Sequence, residues 1–151
     1  MEKTITQQAE EKIDKFVEDY KDLVDTYNEF LIHSSGNKTP FLEFQNRFNN
    51  IHTKLIDIKP YLVRKRMQFT DRSLSARKAE ATTESYTKEK KSWQAAEKEA
   101  ASSPEYLAAI EEKAIWEELY EKISTLEANL DKFSMEISQR LRIFERQNIE
   151  E

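Results

Sequence analysis

The chain has 151 residues, of which 35% are charged and 38% hydrophobic, with a formal net charge of −5. This composition excludes a large globular interior, and the absence of cysteine excludes disulfides and zinc–thiolate sites. One glycine and three prolines leave too few turn residues for a sheet protein, so we predict an all-α, elongated coiled-coil fold. No apolar run approaches the roughly 18 residues of a membrane span and no signal peptide is recognisable, so we expect a cytoplasmic protein without a membrane partner.

The first predicted helix covers about residues 4–34. Its apolar residues alternate in steps of three and four and therefore share one face. They are Ile13, Phe16, Tyr20, Leu23, Tyr27 and Phe30. The following Ser34-Ser35-Gly36 segment contains the only glycine, which suits the left-handed residue that closes a helix. Thr39 and Pro40 then predict the start of the next helix, as an N-cap followed by a proline in the first turn.

The second predicted helix covers about residues 40–101, with a kink or a break between 60 and 72. Its apolar stripe consists of Phe41, Phe44, Phe48, Ile51, Leu55, Ile58 and Leu62. The stripe passes Pro60 without a change of phase, which favours a kink there, whereas Thr70 and Asp71 are suited to the start of a separate helix. Beyond this point the predicted buried seam has a spacing of seven: Ala79, Tyr86, Trp93 and Ala100.

The third predicted helix covers about residues 104–149 and follows a turn at Ser102-Ser103-Pro104. Its seam consists of Leu119, Ile123, Leu126, Leu130, Phe133, Ile137, Leu141 and Phe144, with Ile110 and Trp116 before it. Because the connection is short, helices two and three should run antiparallel, with Tyr86 near Leu119 and Ala79 near Leu126.

A single domain is predicted, with two parts. One part is a three-helix body formed by 4–70 and 130–149, in which Tyr27 lies against Phe48. The other is a two-helix arm formed by 71–129, whose turn at 102–104 is its tip.

No catalytic constellation is recognisable in the sequence. A single glycine rules out a glycine-rich phosphate loop, and two histidines cannot complete a Ser-His-Asp arrangement. His33 and His52 could share a metal, but surface polar residues are the preferred interpretation because further ligands are not apparent. We therefore expect a protein that is not an enzyme and that has no cofactor, no metal site and no small-molecule substrate.

Basic residues are concentrated between residues 59 and 91, where ten Lys and Arg stand against four Asp and Glu. Aromatic residues are interleaved with them, a pattern typical of surfaces that contact phosphates and stack on bases. The candidate nucleic-acid-binding residues are Arg64, Lys65, Arg66, Arg72, Arg77, Lys78, Lys88 and Lys91. The alternative is that these charges only neutralise the acidic third helix, in which residues 105–136 carry nine acids against three lysines.

Large apolar side chains are concentrated near the predicted tip: Trp93, Tyr106, Ile115, Trp116 and Tyr120. A two-stranded seam cannot cover all of them, so we expect this cluster to contact another copy of the chain or a partner protein.

Three segments resemble the UvsY-type recombination mediators of tailed phages: 74–80 (LSARKAE), 113–120 (KAIWEELY) and 140–146 (RLRIFER). The family's basic pair falls on Ser75 and Arg77 here, with Lys78 adjacent. The resemblance implies a helical homo-oligomer that binds single-stranded DNA, displaces a single-strand-binding protein and assists a recombinase.

Two functions are therefore expected from the sequence, and a host-defence inhibitor is a third possibility that the sequence does not separate from them because such proteins share no common motif. The first is a phage-type recombination mediator that binds single-stranded DNA in the host cytoplasm. The alternative is a coiled-coil structural or interaction protein, such as a phage scaffold, an assembly chaperone or an adaptor, that binds a protein partner through its aromatic tip.

Overall fold

The computed structural model describes residues 2–33 and 37–150, and within these ranges the chain forms five helices and no strand. The helices are α1 (Ile5–Ile32), α2 (Lys38–Gln68), α3 (Asp71–Lys88), α4 (Trp93–Ala101) and α5 (Pro104–Glu150). The predicted all-α fold class is thus confirmed. The predicted helix end at Ser34, Ser35 and Gly36 lies outside the described residues.

No helix in the described part of the chain is both long and apolar enough to cross a membrane.

Internal contacts divide the chain into two compact units. Unit 1 consists of Met1–Lys59 and Glu121–Glu151, and unit 2 consists of Pro60–Tyr120. The two units meet at residues 59–60 and 120–121. The predicted body and arm meet at residues 70–71 and 129–130, which is about ten residues later in each helix.

Unit 1 has an aromatic core in which α1, the first part of α2 and the last part of α5 meet. Tyr27 of α1 lies at its centre, with its ring edge-on to Phe44, Phe48 and Phe133 at centroid distances of 5.2, 6.0 and 5.8 Å. Phe48 and Phe133 stack nearly parallel at 5.0 Å. The predicted contact between Tyr27 and Phe48 is confirmed, because the 3-4 pattern of both helices directs these rings inward.

Helix α2 continues through Pro60 and ends at Gln68, so proline does not end the helix, as predicted. The break predicted between 60 and 72 lies at residues 69 and 70. Thr70 caps α3 by accepting a hydrogen bond from the Ser73 amide at 3.1 Å, and the Ser73 hydroxyl donates to the Gln68 carbonyl at 2.8 Å. At the start of α2, Asn37 Oδ1 accepts from the Thr39 amide at 3.2 Å, so Asn37 takes the capping position predicted for Thr39.

A second break, at residues 89–92, was not predicted, and the continuous helix expected to run to residue 101 is wrong at this point. Helix α4 begins after Ser92, whose side chain accepts from the Ala95 amide at 3.3 Å, and it packs against α3.

The buried residues of α3 and α4 are small or slender: Leu74, Thr82, Ala96 and Ala100. The predicted seam is correct at Ala100 but wrong at Ala79, Tyr86 and Trp93, which are exposed. Small side chains let the two helix backbones approach closely, and that spacing leaves no room for aromatic rings between them.

The register of α5 in unit 2 follows from this fold-back. Lys113 of α5 forms an ion pair with Asp71 at the start of α3, at 2.9 Å, and the Arg66 guanidinium lies 4.5 Å from the Tyr120 ring. The predicted register, which placed Tyr86 opposite Leu119, is therefore wrong. It assumed a straight second helix, whereas α4 returns the chain along α3 before α5 begins.

Helix α5 buries most of its predicted seam: Trp116, Leu119, Ile123, Leu126, Leu130, Ile137 and Leu141. Phe133 and Phe144 are half-buried, and Ile110 is exposed.

Candidate nucleic-acid interface

The last turn of α2 carries two cations, Lys65 and Arg66, which suit the negative end of the helix dipole. The Lys65 ammonium lies 5.8 Å from the ring centroids of both Tyr61 and Trp116. Tyr61 and Trp116 contact each other edge-on at 6.0 Å. Lys65 is thus half-buried over an aromatic pair that belongs to the core of unit 2.

Two arginines stack on aromatic rings on either side of the break between α2 and α3. The Arg66 guanidinium lies 4.5 Å from the Tyr120 centroid, and the Arg77 guanidinium lies 5.0 Å from that of Phe69. Both arginines are exposed, whereas Phe69 is buried and Tyr120 is half-buried. Each ring holds one side of a guanidinium group and leaves its donors accessible to solvent.

The eight predicted nucleic-acid-binding residues fall into two groups. Six of them form no ion pair with another described residue: Arg64, Lys65, Arg66, Arg72, Arg77 and Lys78. The other two pair locally, Lys88 with Glu84 at 3.1 Å and Lys91 with both Glu89 and Glu99. Hydrogen bonds to these two glutamates raise the pKa of Lys91, so its charge is already matched.

The alternative of neutralisation by α5 applies to one end of the basic stretch. Lys59 pairs with Glu127 of α5 at 2.8 Å in unit 1. In unit 2 the ion pair between α3 and α5 has the opposite arrangement, since the acid Asp71 lies on α3 and the base Lys113 on α5. The hydrogen bond that Lys113 donates to Asp71 raises the pKa of Lys113. Within the described part of the chain, the cations from 64 to 78 form no ion pair with an acid of α5.

The predicted aromatic cluster is not assembled as an outward surface. Trp116 is only 1% exposed and belongs to the core of unit 2, so it is not available for the predicted partner contact while unit 2 is folded. Tyr120 lies under Arg66, and Tyr106 and Ile115 are half-buried. Trp93 is the member that is accessible, at 47% exposure, with its indole N–H donating to Glu97 at 3.0 Å.

Tyr86 and Trp93 form an exposed aromatic pair that the sequence analysis placed in the buried seam. Their ring centroids are 5.4 Å apart, and Tyr86 is 48% exposed. The Arg66–Tyr120 stack was also not predicted, since it joins helices that are distant in sequence. The Arg77–Phe69 stack had one usable signal, an aromatic residue directly before the Thr70 cap.

Within the described ranges, no group of three or more His, Asp and Glu side chains is arranged to hold a metal ion. His52 lies 3.9 Å from Asp131, and His33 is exposed at the end of α1. A cleft of about 360 Å³ between α1 and α2 is lined by Asp19, Asp22, Arg47 and Lys54 among others, so acidic and basic side chains share it.

The fold and this surface define an all-α protein with a cluster of exposed cations supported by aromatic rings. Comparison with protein-family models, with curated proteins and with solved structures found no match to the chain.

Proposed function

We propose that the protein is a non-enzymatic recombination mediator of the phage type, which acts as a homo-oligomer in the cytoplasm. In this proposal it binds single-stranded DNA through unit 2 and assists a recombinase. The observation that supports it best is the pair of guanidinium–aromatic stacks, Arg66 on Tyr120 and Arg77 on Phe69, beside cations that have no ion-pair partner among the described residues.

Stacked arginines suit single-stranded nucleic acid for two physical reasons. A guanidinium group offers several N–H donors to phosphate oxygens, and its second face can stack on an unpaired base. Because the other face already rests on a ring, less conformational entropy is lost when the side chain binds DNA. The break at residues 69–70, held by the Thr70 and Ser73 hydrogen bonds, fixes how the end of α2 and the start of α3 present these groups.

The attraction to DNA in this proposal is local. Unit 2 carries eleven Lys and Arg and eleven Asp and Glu, so it has no net charge to attract DNA from a distance. Binding then depends on the cations between 64 and 78 and is sensitive to single charge changes there.

The decisive test is fluorescence anisotropy with a labelled single-stranded oligonucleotide over a range of salt concentrations. Each phosphate contact to a single strand contributes about 0.7 to the slope of log affinity against log salt. Replacing both Arg77→Glu and Lys78→Glu should therefore weaken binding at low salt and reduce the slope by about 1.4.

The matched control is the double replacement Lys12→Glu with Lys15→Glu on α1, which makes the same change in net charge at exposed positions of unit 1. It should leave binding within about twofold. No binding at low salt, or an equal loss in the control, would overturn the proposal.

A second candidate is a structural or interaction protein, such as a phage scaffold, an assembly chaperone or an adaptor. It is favoured by the exposed pair Tyr86 and Trp93, because half-exposed aromatic rings in edge-on contact are common anchors of protein interfaces. Here Trp93→Ala should abolish partner binding while the Arg77 and Lys78 reversals have little effect. The reverse result favours the recombination mediator.

A further inference from the structure

The break between α3 and α4 lies in a segment that is suited to a continuous helix. Residues 89–92 are Glu-Lys-Lys-Ser and contain neither glycine nor proline. Lys90 has φ 54°, in the left-handed region that is unfavourable for a residue with a Cβ atom. Tertiary contacts of α4 must therefore maintain this conformation against the preference of the local sequence.

Helix α4 packs against α3 and buries only two small side chains, the methyl groups of Ala96 and Ala100. Other contacts across the bend are the Tyr86–Trp93 ring pair and the ion pair between Lys91 and Glu99. An arrangement that makes the same contacts without the left-handed Lys90 would compete with the folded-back one.

The helical spacing of the residues that are buried or aromatic remains in phase across the break, with the charged Glu89 as the one exception in the series. Thr82, Tyr86, Glu89, Trp93, Ala96 and Ala100 follow one another in alternating steps of four and three. If residues 89–92 were helical, α3 and α4 would form one helix whose buried small residues and two half-exposed rings share a single face.

Each contact between α3 and α4 joins a residue that precedes the break to a residue that follows it. The Tyr86 ring lies against the Trp93 ring, and Ser85 and Ala100 line one cleft of about 250 Å³. Two straightened α3–α4 helices placed antiparallel can re-form both contacts between two copies, once on each side of a two-fold axis near residue 91.

We infer that the chain forms a domain-swapped dimer in which residues 89–92 become helical and the segment 93–150 packs on a second copy. Each α4 packs on the partner copy's α3, and α5 re-forms its contacts with the partner copy in the same way. In the dimer, Lys90 of each copy leaves the left-handed conformation and gains a helical one. The residue contacts of the monomer are kept, but they form between the two copies. This inference specifies the homo-oligomer of the proposed function, and its test contains no DNA, so the two fail separately.

The first experiment compares Lys90→Gly with Lys90→Ala. Both remove the same charge, but only glycine accepts a positive φ without strain, and only glycine weakens the continuous helix. After refolding at high protein concentration, light scattering on a sizing column should show a dimer for the unchanged chain and for Lys90→Ala. Lys90→Gly should raise the dimer dissociation constant about tenfold for each 89–92 segment. Because the dimer has two such segments, the total increase should be on the order of 100-fold.

The second experiment distinguishes a swap from any other dimer, using the absence of cysteine in the chain. Copies carrying Ser85→Cys are refolded together with copies carrying Ala100→Cys and treated with a short bismaleimide. In the swapped dimer these two positions meet between copies, so the mixture should cross-link while each variant alone does not. A monomer at every concentration, a Lys90→Gly dimer as tight as that of Lys90→Ala, or a dimer without preferential mixed cross-linking would overturn the inference.

Discussion

The Tyr27 hydroxyl is a buried polar group that destabilises the core of unit 1, and its removal should stabilise the protein. Tyr27 is fully buried at 0% exposure, and within the described part of the chain its hydroxyl has no hydrogen-bond partner. Arg140 lies close enough to act on this hydroxyl, but no donor of Arg140 meets hydrogen-bond geometry with it. The Nε and Nη2 groups of Arg140 donate to Glu136 at 3.3 and 3.2 Å. The variant Tyr27→Phe keeps the ring contacts with Phe44, Phe48 and Phe133 and deletes only the oxygen.

A buried polar group without a partner costs about 1–3 kcal/mol. Taking the lower end, Tyr27→Phe should raise the free energy of unfolding by about 1 kcal/mol, or the melting temperature by about 2–4 °C for a chain of this size. Urea unfolding followed by circular dichroism measures the change. Tyr20→Phe is the matched control, because Tyr20 is only half-buried and should change the stability by less than about 0.5 kcal/mol.

The same variant should change the response to alkaline pH. Burial, followed by the nearby Glu136 carboxylate, raises the pKa of Tyr27 above its ordinary value of 10.0, while Arg140 opposes this shift. The folded state thus favours the neutral phenol, so this contribution to stability is present below pH 10 and is lost as pH rises through the raised pKa. Burial raises the pKa of Tyr20 in the same sense.

Tyr27→Phe should therefore show a smaller loss of stability above pH 10 than the unchanged chain. If the variant is instead less stable at neutral pH, the hydroxyl must be bonded, by Arg140 or by a water molecule, and the reasoning is refuted.

Two further changes test the packing of unit 1 and the break before α3. Phe48→Ala removes the ring that stacks on Phe133 and should lower the free energy of unfolding by about 3–5 kcal/mol in urea titrations, whereas an equal loss from Leu42→Ala, at 39% exposure, would contradict the assigned core. Thr70→Ala removes the N-cap of α3 and should cost about 1 kcal/mol, with faster hydrogen exchange at the Ser73 amide. Thr53→Ala, in mid-helix, should cost less than half of that, and equal costs would argue against the cap.

The helix faces of unit 1 could be predicted from the sequence because each of them is a local property. The 3-4 spacing of Phe41, Phe44 and Phe48 places these rings on one side of α2 whatever packs against them, and all three are buried. Capping groups are equally local, which is why Thr70 correctly marked the start of α3.

The candidate interface could be predicted only in part. The cations from 64 to 78 were found by their density in the sequence, but which of them are neutralised depends on the register between helices. Lys88 and Lys91 are matched by glutamates of α3, α4 and the intervening break, while Arg66 and Arg77 rest on rings. Trp116 was predicted to be a surface anchor, but Tyr61 and Lys65 lie over it, and this contact joins helices that are distant in sequence.

The sequence by itself determined the helical class, the apolar faces of α1, α2 and α5, and the break at Thr70, since short-range spacing and capping govern all of these. Only the tertiary structure decided the fold-back at residues 89–92, where the local residues favour a continuous helix. Helix α4 packs on α3 with Ala96 and Ala100 buried, and this tertiary packing accompanies a Lys90 φ of 54° that the local sequence does not favour. The register of α5 and the exposure of Tyr86 and Trp93 follow from the bend at residues 89–92, which no local sequence pattern predicts.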